Sequence, residues 1–150
     1  MLKIRKKYFL AAVSVAFMWF IISSNSFDAH AAAFSIEQGT ENNIKYITGG
    51  VGMDERTAME GMSDHYNLKL IFASNKGAFL SNVKVMIQDA NHRRIIDKES
   101  NGPWFFVDLP KGQYHVTVSH DGKKETQKLA LEKASDTVVF NWKINGSRSM

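Results

Sequence analysis

Between Asn67 and Ile144 hydrophobic residues recur at every second position, a period that suits extended strands with one buried face. Leu68, Leu70 and Phe72 share one side of the first run, and Val83, Val85 and Ile87 share one side of the second. A short run from Arg94 to Lys98 follows, then PWFFVDL from Pro103 to Leu109. Tyr114, Val116 and Val118 alternate with His115, Thr117 and Ser119; Val138, Phe140, Trp142 and Ile144 alternate with Val139, Asn141 and Lys143. Lys123 to Leu131 is more polar and its alternation blurs, as edge strands often show. Turn-forming stretches separate these runs at Ser74–Gly77, Asn91-His92, Asn101-Gly102 and Asp121-Gly122, and the last two pairs are strong hairpin signals. The pattern predicts a mainly β chain, a seven-stranded antiparallel β-sandwich.

What precedes the strands differs in kind. Residues 32–48 are polar without a clear period and predict a loose lead-in, and Gly49 to Gly52 reads as a flexible hinge. From Met53 to Tyr66 the spacing is helical: Ala58, Met59, Met62 and Tyr66 share a face, Arg56 and Glu60 stand four apart, and Asp54 and Glu55 suit the positive end of a helix. Gly61 weakens that helix, so it needs a docking surface. The expected organisation is therefore a signal over 1–31, lead-in, hinge and short α-helix over 32–66, the sandwich over 67–144, and a frayed tail over 145–150.

The signal rests on charge and order. Lys3, Arg5, Lys6 and Lys7 precede a fourteen-residue uncharged apolar run, Phe9 to Ile22. Small residues follow, and Ala29-His30-Ala31 and Ala31-Ala32-Ala33 both fit a small-x-small cleavage site. The apolar run is shorter than the roughly 20 residues of a spanning helix, which disfavours an uncleaved anchor. Cleavage after Ala31 changes the formal charge from +4 to +1, leaving 15 basic and 14 acidic residues. With that change the argument for nucleic acid as a partner lapses, and no membrane contact is expected after cleavage. The expected location is the periplasm or cell envelope. The chain has no cysteine, so an exported domain of this size must be held by packing alone, without disulfides, thiol chemistry or zinc–thiolate sites.

Asp108-Leu109-Pro110-Lys111-Gly112-Gln113-Tyr114, followed by an alternating strand and Asp121-Gly122, resembles the L-P-x-G-x-Y signature of carboxypeptidase regulatory-like domains. The resemblance spans Asn67 to Ile144 and implies a transthyretin-like (prealbumin-like) sandwich in which the motif joins two strands. Leu109 and Tyr114 return to the core, Pro110 starts the turn, and Gly112 takes a conformation a side chain would resist. On that reading Pro110 and Gly112 serve folding, and Gly112→Val lowers the melting temperature. Such domains accompany metallocarboxypeptidases without being their catalytic part, and recur in exported adhesins, receptors and carbohydrate-binding proteins. The stretch GGVGMDERTAMEGMSDHY is also similar to the lead-in of small stand-alone exported members.

The residues point to no catalytic centre. Neither H-x-x-E nor H-E-x-x-H occurs, and His115 and His120 are five apart on one strand, so they face opposite ways and cannot chelate together. The histidines read as solvated loop residues. Met53, Met59 and Met62 could suit a copper(I) ion, but Met59 and Met62 share their face with Ala58 and Tyr66, which fits packing. Gly49 to Gly52 lacks the Lys-Ser or Lys-Thr of a phosphate loop, and no nucleophile elbow accompanies any serine. No metal or cofactor is implied. If Leu109 enters the core, Phe105, Val107 and Leu109 share one face while Trp104 and Phe106 form a ridge on the other. Either the helix face covers that ridge, the favoured reading, or Trp104 and Phe106 form an open platform for a sugar or peptide. The expected function is a non-catalytic binding or accessory module recognising an envelope protein, peptide or glycan, with strand-edge contact as one mode. The alternative is an envelope hydrolase or carboxypeptidase-associated protein.

Overall fold

The structure, a computed structural model, describes residues 35–132 and 135–143. The expected signal, with Ala29 and Ala31, and the tail lie outside the described residues. The described residues are mainly β: nine strands in two sheets, with one short α-helix and a 3₁₀ turn. Strands β1 (Glu37–Glu41), β2 (Ile44–Gly49), β6 (Trp104–Val107), β3 (Leu68–Ser74) and β9 (Asp136–Trp142) lie side by side in that order in the first sheet. Strands β5 (Arg94–Glu99), β4 (Lys84–Asp89), β7 (Gly112–His120) and β8 (Lys123–Leu131) make the second.

The alternation read from the sequence is the burial pattern. Leu68, Leu70 and Phe72 of β3, Val85 and Ile87 of β4, Tyr114, Val116 and Val118 of β7, and Val138, Phe140 and Trp142 of β9 enter one core fed by both sheets. Phe72 makes an edge contact with Trp142 across 6.2 Å, and Tyr46 stacks on Phe105 at 5.5 Å. Asp121 and Gly122 both have positive φ (47° and 73°), the geometry of a tight β7–β8 hairpin. The polar strand β8 is an edge, as its blurred pattern suggested.

Three expectations are corrected. Strands number nine among the described residues, and residues 37–49 are not a loose lead-in but a β1–β2 hairpin that pairs with β6. Asn42 and Asn43, both at positive φ (48° and 65°), make its turn, which polar Asn can adopt at low cost. Second, Asn101-Gly102 is not a hairpin: β5 and β6 belong to different sheets, and the pair lies in the crossover between them. Third, the sandwich is not wholly antiparallel, since β9 runs parallel to β3 from Leu68↔Asp136 to Ser74↔Trp142.

Leu109 to Lys111 lies in the connection from β6 in the first sheet to β7 in the second, and Gly112 opens β7. Leu109 and Tyr114 are buried as expected, and Tyr114 Oη donates to the Pro110 carbonyl at 2.7 Å. Asn67 clamps the same corner: its Oδ1 accepts from Leu109 N–H at 2.9 Å, and its Nδ2 donates to the Leu109 carbonyl. Gly112 meets the expectation. Its φ of +159° lies at the margin of the positive range that side chains rarely adopt, so a side chain there is strained even though a Cβ would meet the Tyr114 side chain only at 3.6–3.8 Å, an ordinary contact. The cost of a substitution is therefore conformational and not steric. Tyr114→Phe, which deletes the bond to Pro110, is expected to cost about 1 kcal/mol in thermal unfolding. Gly112→Val, which puts a β-branched residue at that φ, is expected to lower the melting temperature, as read from the motif.

Candidate functional site

The helix is shorter than predicted. Helix α1 covers Met53–Glu60, and a 3₁₀ turn over Ser63–His65 follows Gly61. Met59 is buried with Ile47 and Phe106, and Ile36, Met62, Tyr66 and Trp104 pack around them as a second small core. This core lies on the outer face of the five-stranded sheet. Met59 thus serves packing, while Met53 stands in solvent at 74% exposure.

The same geometry decides the aromatic ridge. Trp104 and Phe106 do project together from β6, stacked at 5.6 Å. Phe106 is 1% exposed, with Tyr66 edge-on at 6.3 Å, so it is covered and offers no open platform. Trp104 is half-buried. Lys69 Nζ lies 4.7 Å from the Phe106 centroid and 5.2 Å from that of Trp104, and pairs with Glu60 at 2.8 Å. The predicted Arg56–Glu60 pair does not form, because Glu60 turns to Lys69. Beside the covered ridge a cleft of about 390 Å³ is lined by Glu60, Asp64, Tyr66, Lys69, Phe106 and Thr137, among others. Burial pushes the Tyr66 phenol up, and Asp108 adds to the effect.

The Gly49–Gly52 segment is tied, not loose. Glu55, in the first turn of α1, is 8% exposed and directs its carboxylate back into that segment. Its Oε2 accepts from Gly50 and Val51 N–H, each at 3.0 Å, and its Oε1 accepts from Ser35 N–H at 2.7 Å and Ser35 Oγ at 3.0 Å. Backbone donors that could face a phosphate are thus occupied by the chain's own carboxylate. Burial alone would raise the Glu55 pKa; the donors from Ser35, Val51 and Gly50 outweigh it and hold the carboxyl below the usual glutamate range.

Beyond α1 the outer face lies open. Its side chains form a row through the strand register: Trp104 of β6 opposite Ile71 of β3, and Ile71 opposite Val139 of β9. Ala73 continues the β3 column and bridges to Phe79. Phe79 and Val139 are each 52% exposed, and Arg56 lies over the Phe79 ring at 5.2 Å while donating to the Gly50 and Val51 carbonyls. Val51 is 56% exposed, and Met53 stands one turn before Arg56. The exposed large hydrophobics among the described residues are thus Phe79 and Val139 on this face, and Val51 and Met53 in the segment that carries Arg56. Sequence reading missed Phe79 and Val139: one sits in a connection, and the other becomes exposed only because β9 is the last strand.

Among the described residues the histidines form no group of metal ligands. His115 and His120 lie within β7, half-buried, rather than in loops; His115 stacks on His92 at 4.7 Å, and His120 meets Trp142 at 6.0 Å. Among the described residues no group of three His, Cys, Asp or Glu could hold a metal ion, and no helix is long and apolar enough to cross a membrane. No protein-family model and no curated protein matches the chain.

Proposed function

We propose that the protein is an exported, non-catalytic binding module of the cell envelope, of carboxypeptidase regulatory-like type, that recognises a protein or peptide through the outer face of its five-stranded sheet. The observation that carries this reading is the row Trp104–Ile71–Val139 with the exposed Phe79 beside Ala73, and Arg56 tying the exposed Val51 segment to the Phe79 ring. Singly exposed apolar side chains are ordinary, but a connected group rimmed by cations marks a contact surface. Arg56 and Lys69 supply that rim, and aromatic, Met and Arg side chains are the types enriched at interfaces. Export is supported by the basic head, apolar run and small-residue site of residues 1–33. The family type is supported by the Leu109–Tyr114 corner between the two sheets.

A photoreactive side chain placed at Phe79, and separately at the exposed Lys128 of the other sheet, tests the reading in intact cells. Specific adducts from position 79, absent from position 128 and lost when Val51→Asp is added, are expected. Equal adducts from both positions, or none from position 79, would overturn it.

A further inference from the structure

We propose that the β9 edge is a docking strand: it takes an extended segment of a second protein by β-strand addition, with β-branched or aromatic residues alternating along the face that continues the apolar row. The proposal rests on the binding-module reading and adds the mode of recognition and the chemistry of the partner.

The backbone carries the argument. Asp136 N–H donates to the Asn67 carbonyl, and the Trp142 carbonyl accepts from Asn75 N–H, both at 2.9 Å. In a parallel pair, alternate residues of one strand make both of their bonds to the neighbour. Residues 136, 138, 140 and 142 thus face β3, and Thr137, Val139 and Asn141 direct N–H and C=O the other way. Thr137 N–H is capped by Asp136 Oδ1 at 2.8 Å. The N–H groups of Val139 and Asn141, and the carbonyls of all three residues, point to an edge with which no described strand pairs.

The other sheet edges each carry two or more charges within the strand, whereas β9 carries one, Asp136, at its first residue. Strand β1 carries Glu37 and Glu41; β8 carries Lys123, Lys124, Glu125 and Lys128. Strand β5 carries Arg94, Asp97, Lys98 and Glu99, and its Ile95 carbonyl already accepts from Asn42 Nδ2 at 2.8 Å. From Thr137 to Trp142 the β9 edge bears no charge, no proline and no bulge. Charge, proline and bulges are the means by which sheets block edge pairing, so an uncharged β-branched edge is a template for another strand.

The surroundings select the occupant. A strand added beside β9 sets every second side chain next to Val139, extending the row Trp104–Ile71–Val139. Asp136 and Lys143 bracket the edge, favouring an antiparallel segment with an acid at its N-terminal end and a base at its C-terminal end. A second copy paired through its own β9 covers Val139 but leaves Val51, Met53 and Phe79, beyond β3, exposed. A partner whose strand continues across the outer face covers all four.

The test uses amide hydrogen exchange of the purified protein with the capped octapeptide acetyl-Glu-Thr-Val-Thr-Val-Thr-Val-Lys-amide at about 1 mM. The Val139 and Asn141 amides are expected to exchange rapidly alone and at least about tenfold more slowly with the peptide. Asn141→Pro removes an outward N–H without breaking a bond to β3, and Asn141→Lys adds an edge charge; each is expected to keep the native unfolding transition and lose the protection. No slowing by the octapeptide would overturn the proposal. So would protection of these amides without peptide: in a monomer the chain's own segment occupies the edge, and in a sedimenting dimer a second copy does. Phe79→Asp is expected to leave octapeptide binding intact, so failure here is distinct from failure of the photocrosslinking test.

Discussion

Glu55→Ala is expected to destabilise the protein by about 3 kcal/mol, lowering the melting temperature by on the order of 10 °C. The carboxylate joins three separate pieces of chain: Ser35 ahead of β1, the Gly50-Val51 segment after β2, and the helix that bears it. Removing it leaves the buried Gly50 N–H without its acceptor, and that desolvation cost dominates the loss. Glu55→Gln keeps one acceptor oxygen and most of the shape, so about half the effect is expected. The pH dependence has a definite sign. The folded pKa lies below the unfolded one, so this contribution is complete above the ordinary glutamate range, roughly pH 4.3, and is lost as pH falls through the lower folded value. Thermal unfolding followed from pH 7 into that window should show the wild type and Glu55→Gln converging as the pH falls. A constant gap across the window would assign the role to packing instead of charge.

How much of this was legible in the sequence depended on whether the cause was local. Strands β3, β4, β7 and β9 were readable because each buries one face, and burial of one face imposes period two on its residues. The opposite faces of Phe105 and Phe106 were readable for the same reason. The β1–β2 hairpin was hidden because β1 (EQGTE) holds no apolar residue, and Gly39 packs against the Tyr46 ring where a side chain would have no room. The turn residues Asn42-Asn43 did carry a signal, which their polar surroundings obscured. The Asn101-Gly102 pair misled because a turn dipeptide reports local backbone preference, whereas sheet membership of β5 and β6 depends on distant partners. The status of β9 as an edge was unreadable in principle. It follows from a parallel pairing between residues 68 positions apart, as Leu68↔Asp136 illustrates. The candidate site inherits this division: Trp104 and Phe106 could be named from spacing, but the cover over one and the openness around Val139 are consequences of sheet order.

Gly102→Ala is expected to be the most damaging single-methyl change in the chain, costing about 5 kcal/mol, enough to abolish the folded state of a domain of ordinary stability. A Cβ at Gly102 would lie 2.2 Å from the Gly49 carbonyl oxygen and 2.5 Å from its carbon, and both obstacles are backbone. Neither side can yield cheaply. Gly49 pairs with Trp104 at the end of β2, while buried Thr48 accepts from Asn101 N–H at 3.2 Å and donates to the Trp104 carbonyl at 3.1 Å. Asn101 Nδ2 also donates to Glu37 Oε2 at 2.9 Å, so the crossover and the hairpin are seated on each other. A methyl group there must push apart two strands that carry the helix, the covered ridge and the proposed binding face. Two other glycines calibrate the result. Gly122→Ala, at φ +73° but with open space around it, is expected to cost about 1 kcal/mol from backbone conformation alone. Gly52→Ala, with nothing within 4 Å and φ −103°, is expected to change stability by less than about 0.5 kcal/mol. Equilibrium unfolding of the three variants should rank them in that order. If Gly102→Ala proved as mild as Gly52→Ala, the hairpin could not be seated against the crossover in this way, and the face built on it would have to be drawn again.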